Sequence, residues 1–123
     1  MRYGVPYMAK AIFEHKETAA NGDIVEIHIF EVPKSETQIA AATGPNRQKA
    51  IWEQPEGVSY TMAYIRNGER IVGYDNFEGH LFEGSSHHKH IEGRILPYEF
   101  VDEWKAIEDF YIEIEKAKQR GLI

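Results

Sequence analysis

The stretch Val58–Asn76, VSYTMAYIRNGERIVGYDN, decides the fold. Two β-rich runs, Val58 to Arg66 and Glu69 to Asn76, flank Asn67-Gly68, the dipeptide that favours a two-residue type I′ hairpin turn. A strict two-residue loop pairs Tyr64 with Ile71, Met62 with Gly73 and Tyr60 with Asp75. Asp75 then shares a face with Tyr60, Met62 and Tyr64, beside the side-chain-free Gly73. A carboxylate among tyrosines marks either a functional group or a strand-ending turn cap.

Upstream lies a second hairpin. Met8 to Lys16 and Ile24 to Val32 alternate as strands around Asn21-Gly22. A two-residue loop would set Ile29 against Glu14 and Ile27 against Lys16, mixing apolar and charged groups. One bulge residue repairs this by pairing Phe13 with Ile29, His15 with Ile27 and Lys16 with Glu26. His15 is then core-facing or at the edge of the core, and His28 lies at the surface. Between the hairpins, Ser35-Glu36-Thr37-Gln38 fits a capping box for a short helix ending at Gly44-Pro45, and Asn46 can cap a second turn through Ile51-Trp52. Arg47 and Lys49 there read as a solvated face.

Downstream, Phe100, Trp104, Ile107, Tyr111 and Ile114 recur at helical spacing, flanked by Val101, Phe110 and Ala117. Pro97 suits the first turn of this long helix. Glu99, Asp102 and Glu103 complement its positive end, and Lys116, Lys118 and Arg120 its negative end. The acidic residues form the solvated face, and Trp104 and the other aromatics pack on the sheet. The expectation is a single α+β domain over residues 1–123, an antiparallel sheet of two hairpins against a C-terminal amphipathic helix.

Composition narrows the function. The chain has 123 residues, no cysteine and a formal net charge of -6. A disulfide framework, a thiol nucleophile and a cysteine zinc site are thereby excluded, and a generally basic nucleic-acid surface is disfavoured. No apolar run has the length of a signal peptide or of a membrane span, so a soluble cytoplasmic protein is expected.

Chemistry concentrates between Gly73 and Arg94, which hold four of the six histidines. A strand delivers Asp75 and Asn76 to its end, a glycine-rich loop carries His80, and His87-His88-Lys89-His90 and Arg94 follow. If residues 87–91 are extended, His88 and His90 share one face, and His87 and Lys89 the other. One reading is histidine acid-base chemistry, with Lys89 and Arg94 stabilising a phosphate and no metal required. The other is a divalent metal held by His88 and His90 with His80 or Asp75. A histidine-rich surface without catalysis is the third.

The pattern Tyr74-Asp75-Asn76, then His80, then His87-His88-Lys89-His90, resembles the TumE-type family of small prokaryotic toxins from toxin–antitoxin pairs. The resemblance covers the chain from Val58 onward. It implies an antitoxin partner, and many small toxins of such pairs are ribonucleases; joined to the metal-free histidine reading, this gives a metal-independent ribonuclease acting on RNA as the expectation. On that reading Asp75, Asn76, His80, His88 and His90 are catalytic, and His87, Lys89 and Arg94 bind substrate. The apolar sheet edge or the arm from Tyr3 to Tyr7 offers a homodimer contact.

Overall fold

The computed structural model describes residues 10–31, 56–76 and 87–123. Within them the strands β1 (Lys10–Thr18), β2 (Ile24–Glu31), β3 (Val58–Arg66), β4 (Glu69–Asp75), β5 (His88–Ile91) and β6 (Arg94–Pro97) form an antiparallel meander, each paired with its sequence neighbour. One helix, α1 (Glu103–Gln119), lies across β3 and β4. The α+β expectation holds. The short helices expected between Ser35 and Pro55, His80, and the Tyr3–Tyr7 arm lie outside the described residues.

The first hairpin takes the bulged register, with Phe13 opposite Ile29, His15 opposite Ile27 and Lys16 opposite Glu26. Its loop closes through Ala19 N–H to the Asp23 carbonyl at 2.8 Å, and Gly22 supplies the left-handed residue at φ 92. His15 sits at the edge of the core, stacked near Phe13. His28 lies on the opposite, outer face with its side chain only 19% exposed, more covered than a surface reading implies.

The second hairpin turns at Asn67 and Gly68, with φ of 53 and 76, as the type I′ signature requires. Its register then departs from expectation. Arg66 pairs with Glu69 and Ile65 with Arg70, but a bulge follows, so that Tyr64 meets Val72, Met62 meets Tyr74 and Thr61 meets Asp75. Asp75 is therefore on the face opposite to Tyr60, Met62 and Tyr64. The unbulged register would turn Val72 and Tyr74 outward and a carboxylate into the core. Burying such an apolar side chain is worth about 1.5–3 kcal/mol, and an unpaired buried charge costs more. One extra residue satisfies both demands, and Val72 and Tyr74 are buried against α1.

A third hairpin joins β5 to β6 through Glu92 and Gly93, both at positive φ. Pro97 ends β6 opposite His88 rather than opening the helix; an edge strand tolerates a residue with no N–H to donate. The helix starts later, with the Asp102 carboxylate accepting from Lys105 N–H at 2.7 Å.

The buried stripe of α1 is Ala106, Phe110, Glu113, Ile114 and Ala117, a phase different from the aromatic one. Alanines at both ends of the contact let the helix approach the sheet closely. Trp104 consequently falls outside the core, 54% exposed, and meets Phe13 edge-on at the sheet margin. Nor are all the acidic residues solvated, since Glu113 is buried and takes Lys89 Nζ at 3.2 Å. No helix among the described residues is long and apolar enough to cross a membrane.

Candidate functional site

Strand alternation and register assemble the site on the sheet face away from α1. Across β2, β3, β4 and β5 one row on that face reads His28, Thr61, Asp75, His88; the next reads Glu26, Ala63, Gly73, His90. Asp75 stands at the centre. Its Oδ1 lies 2.7 Å from His88 Nε2, and its Oδ2 lies 3.4 Å from both His90 Nε2 and Arg70 Nη1. The two imidazoles meet edge to face, with centroids 4.9 Å apart.

A single carboxylate thus gathers three nitrogen donors in a largely dry environment, where charge-assisted contacts are strong. His88 is fully buried, Asp75 nearly so, and His90 retains 13% side-chain exposure. His90 is the less buried of the two imidazoles. Both Nε2 atoms face the carboxylate, so a proton on Nε2 of either ring would leave its Nδ1 as the acceptor.

Gly73 makes the Arg70 contact sterically feasible. The Arg70 stem runs along β4 over Gly73, and a Cβ at that position would come within 2.7 Å of Arg70 Cδ and 3.0 Å of Nε. The glycine is the gap through which the guanidinium reaches Asp75.

The remaining anticipated residues are placed elsewhere. Asn76 clamps the start of β3, its Oδ1 accepting from Tyr60 N–H at 3.0 Å and its Nδ2 donating to the Val58 carbonyl at 2.8 Å. His87 lies on the helix side, stacked on Phe100 with centroids 4.1 Å apart, between the Tyr60 hydroxyl at 2.9 Å and Glu56 Oε1 at 2.9 Å. Burial first, then neighbouring Tyr98 and carboxylates, pushes the Tyr60 hydroxyl well above its ordinary pKa. It stays protonated and shares a 2.9 Å hydrogen bond with His87 Nδ1. Lys89 points to Glu113, on the face opposite to His88 and His90. Arg94 is exposed opposite Ile91, a core residue. The structure therefore joins Asp75, His88 and His90, and leaves Asn76, His87, Lys89 and Arg94 apart from them.

Sequence reasoning missed Arg70. The available signal was Gly73, since a glycine inside a strand marks a bulge or a close approach. Two chemistries suit the trio that Arg70 joins. A carboxylate-oriented imidazole can exchange protons near neutral pH, and the donor atoms of Asp75, His88 and His90, all within 4.8 Å of one another, could also hold a divalent cation.

Residues 10–118 match the family described as Toxin TumE. The chain belongs to that toxin family. No curated protein and no solved structure matches it. The match runs from β1 nearly to the end of α1, so the whole Asp75 cluster belongs to the TumE region of the chain.

The Gly73 argument gives a test in this TumE family member. Gly73→Ala and Arg70→Ala should each cost about 1 kcal/mol of stability, the range of a partly exposed ion pair, and the double variant should cost no more than either alone. Urea unfolding of the four proteins checks this. Additive losses would show that Gly73 acts by some route other than Arg70.

Proposed function

We propose that this toxin is a metal-independent ribonuclease of the cytoplasm, held in check by a protein antitoxin as in a type II pair. The observation that carries the reading is the Asp75 carboxylate beside two imidazoles, one of them partly exposed, with an arginine at the rim. The family membership supports the toxin role.

The chemistry follows from RNA itself. His90 Nδ1 takes the proton of a 2′-hydroxyl, and the 2′-oxygen attacks the adjacent phosphorus. The bond to the 5′-oxygen breaks, that oxygen takes a proton from water, a 2′,3′-cyclic phosphate remains, and the His90 imidazolium returns its proton to solvent. Asp75 holds His90 in the productive tautomer and stabilises its imidazolium, as carboxylates do in catalytic triads. His88 is a positioning residue, fixing the other carboxylate oxygen. Arg70 keeps donors beyond the one facing Asp75 and would stabilise the charge growing on the phosphate.

The test is end-labelled RNA incubated with purified protein in excess EDTA. Cleavage that yields cyclic phosphate ends supports the reading. Cleavage only after adding divalent metal would instead favour a second reading, that Asp75, His88 and His90 ligate a metal; the convergence of their donor atoms within 4.8 Å is its observation. Two imidazoles and a carboxylate suit such an ion and leave coordination positions open. Intact RNA under both conditions would overturn the ribonuclease assignment.

A further inference from the structure

A cavity of about 170 Å³ lies on the same outer face, bordered by Glu26, His28, Thr61, Ala63, Ile65 and Arg70. Thr61 is the direct neighbour of Asp75, and Ala63 of Gly73, so the cavity adjoins the Asp75 cluster across one strand boundary. From β2 to β4 the distance is two strand spacings, about 10 Å. Arg70 belongs to both, forming a cavity wall while its guanidinium meets Asp75.

The lining has a definite chemistry. Ala63 and Ile65 provide an apolar floor on which a flat group can lie. Around it stand a carboxylate, an imidazole, a hydroxyl and a guanidinium. A carboxylate only accepts hydrogen bonds and a guanidinium only donates them. The complementary ligand is planar, carries adjacent N–H donors on one edge and acceptors on another, and fits a space of this size. Among nucleobases guanine has that arrangement, with N1–H and the 2-amino group on one edge and O6 and N7 on the other.

We propose that this cavity is a guanine-binding subsite, in which Glu26 accepts from N1–H and the 2-amino group and the base lies over Ala63 and Ile65. This deepens the ribonuclease reading and rests on it: a guanine seated there sets its phosphate toward Arg70 and His90, making the toxin cut next to guanosine. Lys16 Nζ, 3.6 Å from Glu26 Oε1, is a competing cation. It is mostly exposed and can yield to the base.

The experiment is an NMR titration of the full chain with guanosine 5′-monophosphate and, separately, adenosine 5′-monophosphate. The expected result is shifts at the Ala63, Ile65 and Gly68 amides and a preference for the guanine nucleotide of about tenfold or more. Glu26→Gln should abolish that preference, whereas Lys16→Ala should keep or increase it. Equal binding of the two nucleotides, or a preference that survives in folded Glu26→Gln, would overturn the subsite. Because the titration needs no cleavage, the two ideas separate. Selective guanine binding with uncut RNA keeps the subsite and removes the ribonuclease reading, whereas cleavage without guanine preference does the reverse.

Discussion

His90→Ala is expected to slow RNA cleavage by about 10²- to 10⁴-fold, the usual worth of a positioned general base, while leaving the fold in place. The His90 side chain is the less buried of the two imidazoles, and its loss removes a 3.4 Å contact to Asp75 and the edge-to-face contact with His88. Stability should therefore fall by only about 1 kcal/mol. His88→Ala must behave differently, because His88 is fully buried and holds the 2.7 Å contact. It should lose stability as well as activity. The comparison requires cleavage rates in EDTA beside urea midpoints for both variants. If His90→Ala cut RNA within a few-fold of the wild-type rate, proton transfer would have to be assigned to another group.

Local signals that do not depend on distant packing were legible in the sequence. Asn21-Gly22 and Asn67-Gly68 can be read because positive φ is cheap for asparagine and glycine. The first hairpin's bulge was also legible, since mixing Ile27 and Ile29 with Glu14 and Lys16 gave a reason to shift the register. In β4 the same device was hidden. The unbulged pairing placed Ile71 beside Tyr64, which satisfies the pattern locally, and only the packing of Val72 and Tyr74 under α1 overrules it. Glu92-Gly93 was missed because glutamate rarely occupies left-handed backbone, and there it does so at φ 51.

The helix stripe was legible in part, since Phe110, Ile114 and Ala117 belong to it, and it failed at its aromatic edge. Hydrophobicity favoured Trp104 and Tyr111, whereas close approach to the sheet favoured Ala106. Volume decided. For the site, His-x-His in a strand fixed the shared face of His88 and His90 in advance, and Asp75 was in view. Its three partners depended on register, so the cluster became visible only with the sheet assembled. Asn76, His87 and Lys89 drew notice as polar groups in a histidine-rich run, but their alternate faces commit them to the β3 clamp, the Tyr60–Phe100 stack and Glu113.

Asp75→Ala is expected to be the costliest change to stability in the cluster, by about 3–5 kcal/mol, the range for removing one partner of a buried ion-paired group. His88 Nε2 would lose its acceptor where no bulk water reaches, and Arg70 would lose the carboxylate beside its guanidinium. Asp75→Asn separates charge from shape. Its carbonyl oxygen can still accept from His88, but its amide would face the nitrogen donors of His90 and Arg70. That donor-to-donor encounter should cost about 1–3 kcal/mol and drive His90 into the other tautomer. Activity should therefore collapse in Asp75→Asn even where the protein remains folded, and urea unfolding with parallel cleavage assays measures both. An Asp75→Ala midpoint within about 1 kcal/mol of wild type would mean that the carboxylate does not organise these donors. Such a result would leave His90 without its orienting group, and the proton-transfer role would lose its geometric basis. A large loss in Asp75→Ala, with Asp75→Asn folded but inactive, places the function in the negative charge, the feature that the bulge in β4 turns toward His88 and His90.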